Sequence, residues 1–253
     1  MDGVKPRLLT ERRFEGASVH SSPLLRCLAG LGVAEVAASA LSLAERWSPW
    51  LAWTDAITLS VVLGSGAPAA PASAKPGARA LIDDCKRVRQ DLTQAIGTDV
   101  MFTAGLASRP ALAQHNPPLD ETGLAGLHRQ YRAHQAAMDE RIVPLRAQVR
   151  AALTGQSGDL ARLAALDAVL DEALAARQRR LLATVPGWLG RHFKRAPTAL
   201  PAAAAQWQRM LLAELDLRLQ PVEAMAEALA QAAGNRAANP AGNPASNLAK
   251  RPA

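Results

Sequence analysis

The chain is poor in the residues that build sheets. Only 4% of its 253 residues are aromatic, with one tyrosine and three phenylalanines. Val and Ile are sparse beside Ala, Leu, Arg, Gln and Glu, so helix is the default state. Two cysteines, Cys27 and Cys85, are too few for a disulfide-stapled secreted scaffold and point to a reducing compartment. Long apolar runs are missing as well. The most apolar stretch, from Pro49 to Leu63, contains Asp55 and falls short of the roughly 20 apolar residues that a membrane span requires. The stretch from Leu24 to Ala44 is interrupted by Arg26 and Glu35. Lys5, Arg7, Glu11, Arg12 and Arg13 have no apolar run behind them, so no signal peptide is expected to begin there. The sequence therefore predicts a cytoplasmic protein without a transmembrane segment.

What is present is a basic, alanine-rich, helix-forming chain. Hydrophobic residues make up 49%, enough for one large domain or two small ones. Lys plus Arg number 29 against 22 Asp plus Glu, a formal charge of +7. The lysines are only Lys5, Lys75, Lys86, Lys194 and Lys250, so arginine carries the charge. Heavy use of Ala and Arg is also what a GC-rich genome writes everywhere. Part of the charge has that origin, and the remainder suits acidic partners, nucleic acid or anionic lipid heads.

Periodicity and punctuation divide the chain. Residues 1–21 lack a pattern and read as a flexible arm. Ser22-Pro23 reads as an N-cap with proline at the first helical position, opening a short helix from Leu24 to Leu31. A second helical stretch begins near Ser39 and meets Ser48-Pro49. Beyond it Trp50, Trp53, Ile57 and Val61 share one face while Leu51, Leu59, Val62 and Leu63 occupy others. A helix apolar nearly all round is expected to be buried. Residues 64–77, rich in Ala, Pro and Ser, read as a linker inside a helical domain spanning 22–233.

Four longer amphipathic helices follow. Their stripes are Leu81, Cys85, Val88, Leu92, Ile96; then Leu124, Leu127, Tyr131, Met138, Ile142, Leu145, Val149, starting after Asp120-Glu121. The third has Leu163, Leu170, Leu174, Leu181, Val185, Trp188, and the fourth Trp207, Leu211, Leu215, Val222, Met225, Leu229. Pro144, Pro186 and Pro221 fall inside three of these helices and are expected to kink or break them. Gly155 to Gly158 forms a tight loop, making the second and third helices antiparallel neighbours. The fold class expected is all-α, an elongated antiparallel bundle of rods about 45 Å long. Residues 234–253, rich in Asn, Pro, Gly and Ala, read as a disordered tail.

Familiar chemistry is hard to find. His20, His115, His128, His134 and His192 form no pair at a spacing of four and no Cys/His cluster, and His128 and His134 fall on different faces. Cys27 and Cys85 lie among apolar neighbours, where a thiol packs as a small hydrophobe. No GxGxxG or GxxxxGK[ST] exists for a nucleotide. No catalytic residue, metal ligand or cofactor is assigned. Asp55, flanked by apolar residues, needs a partner, and Arg46 is a candidate for a structural ion pair. Asp167, Asp171 and Glu172 are spaced to face basic groups one turn away on their own helix.

One charge run stands out. From Ala173 to Arg195 there are six basic residues, Arg177, Arg179, Arg180, Arg191, Lys194 and Arg195, and no acid. Trp188, His192 and Phe193 are interleaved near its end. Cations beside aromatics grip phosphates or stack on bases, and they also hold acidic protein partners or complement a helix C-terminus. Together with Trp188, these six form the candidate partner surface.

The segment Arg46-Trp47-Ser48-Pro49-Trp50-Leu51-Ala52-Trp53-Thr54-Asp55-Ala56-Ile57-Thr58-Leu59-Ser60 resembles the N-terminal signature of an uncharacterised proteobacterial family, domain of unknown function 3348. Two later stretches are similar to it as well, Ala175 to Pro186 and Ala213 to Glu223. In this resemblance Trp50, Trp53, Asp55 and Ile57 belong to the family motif as structural residues. The family brings no known activity or catalytic residue. Its members tend to be encoded beside envelope proteins similar to OmpA/MotB and beside proton-channel subunits, which implies envelope-associated protein partners. The expected function is thus a non-enzymatic accessory or scaffold protein, with self-association open. The alternative is a nucleic-acid-binding protein using residues 173–195, with an anionic membrane surface a further option for the same charge.

Overall fold

A computed structural model describes residues 22–31, 51–64, 77–103, 119–156, 158–195 and 198–238. Among them are seven helices: α1 (Pro23–Gly30), α2 (Trp53–Gly64), α3 (Ala78–Gly97), α4 (Val100–Thr103), α5 (Glu121–Thr154), α6 (Asp159–Arg195) and α7 (Leu200–Ala238). The protein is all-α. At about 1.5 Å per residue the three longest helices are rods of roughly 50–60 Å. The stretch near Ser39, most of the 64–77 linker, and Arg46, Trp50, His20 and His115 lie outside the described residues.

Helix starts follow the local chemistry. Asp120 caps α5, its Oδ1 accepting from the Gly123 amide at 2.7 Å, which satisfies one of the orphan donors of the first turn. At α1 the proline occupies the first turn as expected, but the Ser22 side chain makes no capping bond. The short turn between α5 and α6 is closed by Gly158 at φ 72°, a conformation that only glycine adopts without steric cost.

Cross-helix pairs fix the directions. Glu121 meets Lys194, Gln135 meets the Leu182 carbonyl, and Arg146 and Arg150 meet Asp167 and Asp171. Partner numbers fall on one side as they rise on the other, so α5 and α6 are antiparallel. Tyr131 to Glu214 and Asp139 to Arg218 rise together, so α5 and α7 run parallel. The Ile96 carbonyl accepts from Gln208, while Arg89 reaches Asp216 and Glu223, so α3 is antiparallel to α7. Consecutive long helices thus alternate in direction, as an antiparallel bundle requires, and the alternate helices α5 and α7 run parallel. The α7 helix is its centre and packs against α1, α3, α4, α5 and α6, whereas α2 packs against α6.

The core is continuous and largely aliphatic, running from Leu81 and Ile96 through Leu127, Tyr131 and Met138 to Trp207, Leu211, Leu215 and Val222. The stripes of α5 and α7 face it as expected, and so does that of α3, where Val88 packs only partly buried at the edge. The α6 stripe does so only in part: Val185 is buried and Trp188 packs half-buried against the core. Leu163, Leu170 and Leu174 are only half-buried and Leu181 is exposed, while Ala161, Ala164, Asp167, Leu182, Val185, Pro186, Leu189 and Phe193 form the buried side. The cause is the ion-paired contact with α5, which puts small residues and an aspartate against the neighbouring helix.

Three further expectations are corrected. Of the kink or break expected at Pro144, Pro186 and Pro221, the break does not occur, and α5, α6 and α7 each continue through as one helix. Each proline removes one backbone bond, but packing along the whole rod outweighs that loss. Helix α7 extends to Ala238, past the expected start of the tail at residue 234. Finally, α2 has no buried residue at all. An all-round apolar helix was expected inside, yet it lies on the outer side of α6.

Candidate functional site

The acid-free segment occupies the C-terminal half of α6. Helical geometry, about 100° per residue, places Arg177, Arg180, Arg191 and Arg195 within roughly 60° of one another. All four are exposed. Arg191 and Lys194 border a groove of about 440 Å³ between α5 and α6, floored by Leu124, Ala125, Pro186, Gly187 and Gly190, with His128 and Glu121 on its rim. Glu121 reaches Lys194 at 3.4 Å, a solvent-exposed pair. Trp188 packs half-buried against the core and does not line the groove. Arg179 turns elsewhere, into a second cleft of about 140 Å³ where α5, α6 and α7 meet. What looked like one surface in sequence is therefore two sites and an outer face.

The motif residues of α2 behave differently from expectation. Trp53 is 80% exposed, Val61 61%, Leu63 60% and Ile57 48%. Asp55, Leu59 and Val62 are half-buried on the other side. The Asp55 carboxylate accepts from the Ala52 amide at 2.8 Å. It is the third helical residue reaching back to the N-cap, as in a capping box. That local bond supplies the partner expected for Asp55.

Sequence reasoning missed the polar groups inside the bundle. Glu214 is fully buried; its carboxylate accepts from the Tyr131 hydroxyl at 2.8 Å, from Gln135 Nε2 at 3.0 Å and from Arg218 Nε and Nη2 at 2.9 and 2.7 Å. Arg218 also bridges to Asp139, and Gln135 donates to the Leu182 carbonyl at 3.0 Å. Both oxygens of the buried carboxylate accept hydrogen bonds, the condition under which a buried charge is tolerated. Burial, reinforced by Glu214, pushes the Tyr131 phenol well above its usual range, so it stays a neutral donor. The signal was available, since Tyr131, Gln135, Glu214 and Arg218 are polar residues set among apolar stripes.

Two more clusters brace the helices. Asp167 and Asp171 pair not with their own helix but with Arg146 and Arg150 across the α5–α6 contact, at 2.6–3.1 Å. Asp99 caps α4 by accepting from the Met101 amide, and its other oxygen takes Gln130 at 2.6 Å and His134 at 2.7 Å. His134 and Asp99 line neither cleft. Among the described residues no three His, Cys, Asp or Glu side chains converge to hold a metal. No described helix is long and apolar enough to cross a membrane.

The model of the DUF3348 family, described as proteins of unknown function, matches residues 12–207. The chain belongs to the DUF3348 family. The matched segment contains α1 to α6 and the start of α7, ending at Trp207, so Ala213 to Glu223, with Glu214 and Arg218, lie beyond it. No match was found among curated proteins or among solved structures.

Proposed function

We propose that this DUF3348 protein is a non-enzymatic scaffold that binds another protein through α2. The observation that supports it most is the apolar outer face of that helix. Trp53, Ile57 and Val61 recur every four residues and form a ridge pointing away from α6. Contiguous apolar surface of this kind marks interaction sites, and tryptophan is prominent among the residues that dominate binding energy. The rigid bundle beneath, cross-braced by ion pairs, holds that ridge in place. In line with the family resemblance, the partner proposed is an envelope-associated protein.

Photo-crosslinking in the native host tests this directly. A photoreactive residue at position 57 should give one dominant adduct with an envelope protein, abolished by Val61→Asp. Absence of any adduct, or an adduct only between copies of this chain, would overturn it.

A nucleic-acid ligand is the second reading. Arg177, Arg180, Arg191 and Arg195 extend about 27 Å along one side of α6, enough to follow several phosphates. Affinity for DNA falling steeply with salt, and weakened by Arg180→Gln plus Arg191→Gln, would support it. No binding at low salt would end it.

A further inference from the structure

The cleft at the meeting of α5, α6 and α7 brings together four guanidiniums and two carboxylates: Arg146, Arg150, Arg179, Arg218, Asp139 and Asp171. Three of the arginines are fixed before any ligand arrives. Arg218, only 9% exposed, is held by Glu214 and Asp139. Arg146 and Arg150, 20% and 24% exposed, are held by Asp167 and Asp171. Such pairing orients the guanidinium planes and lowers the entropy lost when a ligand binds. It does not exhaust their donors, because each guanidinium carries five N–H groups. Arg150 Nη1 donates to no described residue, and Arg179 forms no ion pair among the described residues. The two lining aspartates already accept from Arg218, Arg146 and Arg150, so their repulsion towards an incoming anion is largely neutralised.

We propose that this cleft binds a phosphate dianion, either inorganic phosphate or the terminal phosphomonoester of a larger molecule. Arginine forks match phosphate oxygens in geometry and charge. A volume of about 140 Å³ admits a phosphate group. Arg179, exposed and unpaired among the described residues, closes over the anion, while the three preset arginines receive it. This site does not depend on the α2 ridge.

Calorimetric titration of the full chain with sodium phosphate, at constant ionic strength in chloride, tests it. Saturable single-site binding is expected, weakened about ten-fold by Arg179→Gln, the scale of one charge-assisted pair. Arg87→Gln, on the exposed side of α3 and outside the cleft, should bind like the parent. Because Arg179 is exposed, its substitution should leave the thermal melt unchanged. A second arm uses phosphatidylcholine vesicles with and without phosphatidic acid. Co-sedimentation that free phosphate competes away would identify a lipid headgroup as the source, and phosphate binding without co-sedimentation a soluble one. The proposal fails if phosphate gives no saturable heat or if Arg179→Gln binds unchanged.

Discussion

The Tyr131 hydroxyl donates to Glu214 across 2.8 Å, and neither side chain has any solvent exposure. The bond joins two parallel helices, α5 and α7, at the level where Gln135 and Arg218 complete the carboxylate's shell. Tyr131→Phe removes one donor to a charged acceptor and should cost about 1.5–3 kcal/mol.

Arg218→Leu is the harsher change. It leaves Glu214 charged and buried with neutral donors only, a cost of about 3–5 kcal/mol. Adding Glu214→Leu removes the stranded charge, so the double variant should be more stable than Arg218→Leu alone. Urea midpoints for the three proteins check this. A double variant less stable than Arg218→Leu would contradict the pairing of Glu214 with Arg218.

The α5–α6 contact depends on Asp167, which accepts from both Arg146 and Arg150 and has a side chain only 10% exposed. Asp167→Ala should destabilise by about 2–3 kcal/mol, less than a fully buried pair because the arginines retain Asp171 and some water. Glu172→Ala, on the exposed side of the same helix, should stay within about 0.5 kcal/mol. Equal losses at both positions in chemical denaturation would contradict the cross-helix pairing.

Most of the fold was legible because long stripes report burial wherever one face meets a core. Leu211, Leu215 and Val222 do so on α7, and Leu127, Tyr131 and Met138 on α5. Legibility failed where contact is polar or one-sided. On α6 the stripe through Leu163 and Leu170 follows the leucines, but α5 presents Arg146 and Arg150, which pair with Asp167 on the buried side. On α2 composition alone suggested burial, yet a helix supported on one side leaves Trp53 and Ile57 in water. For the basic segment, linear density concealed the turn of the helix that sends Arg179 to one cleft and Arg191 to another.

Two tryptophans should separate surface from core. Trp207 is fully buried, with Tyr131 edge-on at 5.8 Å and His128 at 6.4 Å, whereas Trp53 is 80% exposed. Trp207→Ala should cost about 3–5 kcal/mol and Trp53→Ala less than about 0.5 kcal/mol. Acrylamide quenching should fall in Trp53→Phe and rise in Trp207→Phe, because loss of the shielded ring leaves the exposed ones a larger share of the emission. A large stability loss on removing Trp53 would mean that its ring is covered in solution.

Alkaline pH should expose the state of Cys85. Burial, aided by the nearby charges of Glu223 and Asp84, pushes its thiol up from 9.0 to about 11. The folded chain therefore keeps a proton that the unfolded chain releases above pH 9. Stability from this group is fully present below pH 9 and is lost as pH rises from about 9 through about 11. Cys85→Ala should flatten that part of the stability profile despite lowering overall stability through the cavity it leaves. Alkylation at pH 8 should label the half-buried Cys27 well before Cys85, which becomes reactive only on unfolding. Equal labelling rates in the native protein would show that the α3–α7 contact opens readily at Cys85.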